Sequence, residues 1–128
     1  MTTEILTPEQ RVSARALLRT RFFIFTHIGG LMIAISTLKP FFWEHNIAGG
    51  IILAASLIYD LRPTASKKLK RLLSLVCLLA STWVVINCIF HISIPEDIPL
   101  SVIKFSIVGA IVTQIGLSAA RHEVKLMD

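Results

Sequence analysis

Charge is what this chain has least of. Only 16% of its 128 residues are Asp, Glu, Lys or Arg, against about 25% in an average soluble domain. Apolar residues fill the difference, at 54% of the total with a mean hydropathy of +0.72. Cysteine is nearly absent as well. Cys77 and Cys88 lie eleven residues apart in one apolar stretch, too distant to bond to each other on a helix rising about 1.5 Å per residue. Neither a disulfide framework nor a CxxC redox pair is present, and both residues read as small packing groups. The chain also has no internal repeat, no low-complexity segment, no Gly-rich phosphate loop and no nucleophile–base constellation or paired catalytic carboxylates. Its polar segments are too short to build a pocket. An enzyme is therefore not expected, and no cofactor is implied.

What the chain does have is four apolar stretches, Phe22–Leu38, Ile47–Tyr59, Leu72–Phe90 and Ile98–Ala120, which make up more than half of it. A soluble protein of this length has too little interior to hide four such runs. The expected class is an all-α membrane protein, with one transmembrane domain over residues 1–128. Eleven of the 13 Lys and Arg residues fall on one side of these stretches, Lys39 falls on the other, and Lys104 lies inside the fourth. That bias predicts both termini in the cytoplasm. Net charge +5 and a pI of about 9.7 would suit nucleic acid, but the cations sit where topology demands them. Anionic lipid headgroups are the expected counter-charge for Arg11, Arg15, Arg19, Arg21, Lys67, Lys68, Lys70 and Arg71, and nucleic acid is not an expected partner.

Thr7-Pro8-Glu9-Gln10 is a compact helix start: Thr7 caps, Pro8 suits the first helical position, and Gln10 reaches back as in a capping box. Arg11, Arg15 and Arg19 then recur every four residues, so residues 7–21 form a basic amphipathic segment continuous with the first span. Spans are expected at about 22–38, 41–60, 72–90 and 98–120. The second is the shortest, and Pro40 offers it a helix start with Glu44 and His45 in the outer headgroups. Ser66 is a candidate cap for the third helix. The turns are short, so successive helices become neighbours in an antiparallel up-down-up-down four-helix bundle. Lys39-Pro40 after the first stretch is no signal-cleavage site, so the first helix is expected to be retained. So compact a chain without a targeting extension points to the cytoplasmic (inner) membrane of a bacterium.

Polar groups within the spans are where function would show. Counting from the inner boundaries, His27, Cys77 and Gln114 fall at about one depth on three helices. His27 hydrogen-bonded to Gln114 would be either proton-active or a packing bond. No carboxylate lies at that depth, which favours packing. Asn87 and Lys104 form a second layer near the outer face, with Lys104 snorkelling toward Glu44, Glu96 or Asp97, or donating to Asn87. Glu44, His45, His91, Glu96 and Asp97 are acceptable metal ligands chemically, yet no HxxxH-type spacing joins them and no metal site is expected. A bis-histidine haem is expected even less than a metal site, since His27 and His91 lie near opposite faces.

Small residues give the clearest packing signal. Ser106, Gly109, Thr113, Gly116 and Ala120 recur at steps of three and four on the fourth helix; Gly50 and Ala54 lie on the second, and Ser74, Cys77 and Ser81 on the third. Apolar helices associate in lipid through such stripes, and one could remain for a partner. The expected function is that of an accessory, assembly or protective (immunity-type) partner of another membrane protein. The alternative is an oligomeric small-solute or ion carrier or channel, with His27, Gln114, Asn87 and Lys104 lining a path between copies.

Overall fold

The computed structural model describes residues 7–35, 43–62, 64–92 and 100–127. They form four helices, α1 (Pro8–Ile35), α2 (Trp43–Leu61), α3 (Lys67–Ile92) and α4 (Leu100–Lys125), and no strand occurs among the described residues. Residues 36–42 and 93–99, with Glu96 and Asp97, lie outside the described residues, as do the side chains of Glu44 and His91.

Local chemistry starts the helices where the sequence places them. Thr7 N donates to Gln10 Oε1 at 3.0 Å and Gln10 N donates to Thr7 Oγ1 at 3.2 Å, so the capping box closes in both directions. α1 then runs unbroken for 28 residues, about 42 Å, and joins the basic segment to the first span. Ser66 caps α3 by accepting from Leu69 N at 3.3 Å. Three helical segments, Pro8–Ile35, Lys67–Phe90 and Ile103–Lys125, are long and apolar enough to cross a membrane, which marks the chain as a membrane protein. The apolar part of α2, His45–Leu61, is shorter. Its expected start at Pro40 or Phe41 lies outside the described residues.

The helices pack in a ring. α1 touches α2 and α4, and α3 touches the same two from the other side. Close approach depends on a few positions without a side chain. A Cβ on Gly29 would collide with Thr113 Oγ1 and lie 2.5 Å from the Gly109 carbonyl oxygen. One on Gly109 would lie 2.8 Å from the Gly29 carbonyl oxygen, and one on Gly49 would lie 2.5 Å from Ala34 N. Gly30 and Gly49 meet across the α1–α2 seam, where the face shared by His27, Gly30 and Ala34 receives its neighbour. Gly50, by contrast, has open space around it. Gly29→Ala is therefore expected to cost about 1–3 kcal/mol by overpacking. Gly50→Ala is expected to be neutral or stabilising by up to about 1 kcal/mol, from helix propensity. In detergent, thermal unfolding of Gly29→Ala should fall below the parent while that of Gly50→Ala should not.

Each helix buries one stripe. On α3 it runs Lys70, Leu73, Cys77, Ser81, Val84 and Cys88; on α4 it runs Ser106, Gly109, Thr113, Gly116, Ala120 and Glu123. Buried hydroxyls mostly bond their own helix: Thr26 Oγ1 donates to the Phe22 carbonyl at 2.6 Å and Thr113 Oγ1 to that of Gly109 at 2.9 Å. Outward faces are apolar, as with Ile24 and Ile28 on α1, Leu79 and Ile86 on α3, and Ile111 and Ile115 on α4.

Candidate functional site

Two buried polar nodes stand at opposite ends of the bundle; one includes Asn87 of the outer layer the sequence suggests, and the other lies at neither suggested layer. The first centres on Glu123 of α4, whose side chain is fully enclosed. Lys70 Nζ of α3 donates to both of its oxygens, at 2.6 and 2.9 Å. Tyr59 OH of α2 donates to Oε1 at 2.8 Å, and Arg15 Nε of α1 donates to Oε2 at 2.9 Å. An ionised carboxylate offers about four acceptor sites, and four donors fill them. Such a group has no lone pair left to act as a base. It ties one residue from each of the four helices together.

Around this carboxylate the packing is apolar and aromatic. Phe22 stacks obliquely on Tyr59 with ring centroids 4.3 Å apart, and the Lys70 ammonium lies 5.1 Å from the centre of the Tyr59 ring. The node holds two cations and one anion, so it carries a surplus positive charge. Arg15 is the member able to share that surplus with the surroundings, because its side chain is 23% exposed while those of Lys70 and Glu123 are 0% exposed.

These positions correct the expectation that Lys70 meets lipid headgroups. Lys70 is in phase with Leu73 and Cys77 on the buried stripe of α3, so its ammonium points inward. Arg15 directs its Nε to Glu123 while its side chain stays partly exposed. Arg21, Lys68 and Arg71 are exposed, whereas Arg11, Arg19 and Lys67 are half-buried.

The second node centres on His45 of α2, which is fully buried. Asn87 Nδ2 of α3 donates to His45 Nε2 at 2.9 Å, and His45 Nδ1 lies 2.9 Å from Ser106 Oγ of α4. With Nε2 accepting, the ring is the neutral Nδ1–H tautomer and donates to Ser106. Trp83 approaches the imidazole edge-on at 5.9 Å. His45 is thus an interior residue and not an outer headgroup or metal-ligand position, since both ring nitrogens are engaged. Asn87 faces His45, and Lys104 is exposed on α4.

The middle of the bundle separates the residues that depth alone would pair. His27 Nδ1 lies 3.3 Å from Ser56 Oγ on α2, and Ser56 donates its own proton to the Leu53 carbonyl, so His27 is the donor. Gln114 Nε2 instead donates to Ser81 Oγ and Thr82 Oγ1 of α3, at 3.3 and 3.4 Å. The expected His27–Gln114 bond does not form, because the two side chains turn to different neighbours around the ring. Cys77 is buried in the apolar core. Among the described residues no three His, Cys, Asp or Glu side chains gather as a metal site would require.

Glu123 and Tyr59 are the residues of this candidate site that sequence reasoning missed. The signal for Glu123 was present: it lies three residues beyond Ala120, on the same stripe as Ser106, Gly109, Thr113 and Gly116. Comparison with family models, with curated proteins and with solved structures finds no match to this chain.

Proposed function

We propose that this chain is a multi-pass protein of the cytoplasmic membrane that acts through helix contacts, as an accessory, assembly or protective partner of another membrane protein. The observation that carries the reading is how its polar side chains are spent. Glu123, His45, Gln114 and His27 are each engaged by a neighbouring helix, while the outward faces stay apolar. A bundle locked from inside and greasy outside is suited to being a rigid contact surface in lipid, where association rests on packing and a few interhelical bonds.

The topology proposed is antiparallel, with all four helices crossing and both termini cytoplasmic. Four observations support it. Moving up α1 through Phe22, His27 and Gly30, the partners on α2 fall from Tyr59 to Ser56 to Gly49. Lys70 to Asn87 on α3 and Ser106 to Glu123 on α4 are each 17 residues, about 26 Å of helix, so the two nodes are separated by nearly the roughly 30 Å hydrocarbon thickness. α2 contributes to both nodes, through Tyr59 and His45, which favours a full crossing despite its modest length. The Glu123 node lies at the end rich in Arg and Lys, the cytoplasmic end by the positive-inside rule.

The alternative of an oligomeric carrier has weaker support. Its four candidate path residues divide among separate contacts: His27 with Ser56, Gln114 with Ser81 and Thr82, Asn87 with His45, and Lys104 on the surface. The deciding experiment is a mild-detergent pull-down from native membranes, with mass spectrometry and a mass for the eluted complex. A different membrane protein in fixed stoichiometry is expected. A homo-oligomer alone, with solute flux in liposomes lost in His27→Ala or Lys104→Ala variants that still fold, would replace this reading with transport.

A further inference from the structure

A groove of about 440 Å³ runs along the outside of the bundle between α3 and α4. At the end nearest the Glu123 node it is bordered by Arg71, Arg121 and Lys125, all exposed. Leu75, Leu78 and Leu117 form its walls, and Gln114 closes the far end. No acid lines it. Glu123, the acid nearest in sequence, is turned inward and saturated by Arg15, Lys70 and Tyr59.

We propose that this groove holds one anionic phospholipid, with its phosphate among Arg71, Arg121 and Lys125 and one acyl chain against Leu75, Leu78 and Leu117. The proposal rests on the reading of the chain as membrane-embedded. Charge selects the headgroup: three cations from two helices meet at one mouth, and guanidinium groups suit phosphate through paired N–H donors. Shape selects the tail. Below the cations, the groove is walled by Leu75, Leu78 and Leu117, the apolar lining an acyl chain needs. Polar above and apolar below, it also matches the order of groups in a phospholipid lying parallel to α3 and α4.

The test titrates the full chain, purified in mild detergent, with dioleoyl-phosphatidylglycerol or dioleoyl-phosphatidylcholine under native mass spectrometry. One retained phosphatidylglycerol is expected, with a preference over phosphatidylcholine on the order of 100-fold from three surface cations. The triple variant Arg71→Gln, Arg121→Gln, Lys125→Gln should lose that preference. Leu78→Trp, which fills the groove but keeps the cations, should lose retention of both lipids. Helicity and melting of both variants should match the parent, because all four side chains are exposed. Lys68→Gln with Arg62→Gln, outside the groove, should change nothing.

Equal retention of the two lipids by the parent would overturn the proposal, as would an unchanged preference in the triple variant. Full displacement of phosphatidylglycerol by inorganic phosphate would mean a simple anion site and overturn it too. So would a dimer broken by Leu78→Trp, which would assign the groove to a second copy. A chain that is carbonate-extractable from membranes would instead defeat the membrane reading itself. An integral chain without a retained lipid would defeat only this proposal.

Discussion

Glu123→Gln is expected to be the most damaging single substitution in this protein, costing about 3–5 kcal/mol in reversible detergent unfolding. The change is nearly isosteric, so the cost is electrostatic. It leaves the Lys70 ammonium, which is 0% exposed, and the Arg15 guanidinium facing a neutral amide that has only one strong acceptor. Buried charges are tolerated when they are paired and hydrogen-bonded, and are expensive otherwise.

The stoichiometry of the node makes the other members unequal. Lys70→Met leaves one cation and one anion, with Arg15 and Tyr59 still bonded to Glu123, and is expected to cost about half as much. Arg15→Gln should cost least of the three, since Lys70 remains and the Arg15 side chain is already 23% exposed. The double variant Glu123→Gln with Lys70→Met should be more stable than the sum of the singles implies, because their effects are coupled through one interaction. A Glu123→Gln variant that unfolds like the parent would show that the carboxylate is not enclosed among these donors.

The helical architecture was legible because the signals were long and redundant. Four apolar runs, Pro8 and Thr7 at the start of α1, and Ser66 before α3 all point to the same elements. The partners of the polar residues were not legible, and the reason is geometric. Counting residues from a membrane boundary gives a side chain's depth but not the direction it faces. His27 and Gln114 share a depth, yet each step along a helix turns the side chain by about 100°, and their neighbours are set by the order of helices in the ring. His27 turns toward Ser56, one position away from Thr26, which is buried near Gly116 of α4.

The same limit explains the misplacement of Lys70. Sorting cations by side of the membrane treats Lys67, Lys68, Lys70 and Arg71 alike. Only Lys70 is in phase with Leu73, Cys77 and Ser81, and only it is buried. Extending each buried stripe outward past the end of its apolar run would have found both it and Glu123. His45 was misplaced for a related reason: the apolar run starts at Ile47, so the residue two positions before it reads as an outer-headgroup position. The phase of Ala48, Ile52 and Tyr59 carries His45 into the interior.

At that other end, His45→Phe should give the second-largest loss. The ring shape is roughly preserved, but the Asn87 amide loses its acceptor and the Ser106 hydroxyl loses one of its hydrogen-bond partners. Interhelical hydrogen bonds in membranes average about 0.6 kcal/mol and reach about 1.7 kcal/mol. Leaving a buried polar group without a partner costs about 1–3 kcal/mol. A total of about 2–4 kcal/mol is therefore expected. The triple variant His45→Phe, Asn87→Leu, Ser106→Ala should recover much of it, because the polar groups that His45 served are removed together with it. Recovery is the informative outcome. If the triple variant were as unstable as His45→Phe alone, the loss would come from packing against Trp83 and not from the hydrogen bonds. Nitrogen-15 spectra of labelled His45 give an independent readout: Nδ1 should carry the proton and Nε2 should not, as acceptance from Asn87 requires. An imidazolium signal would require Asn87 to present its oxygen instead.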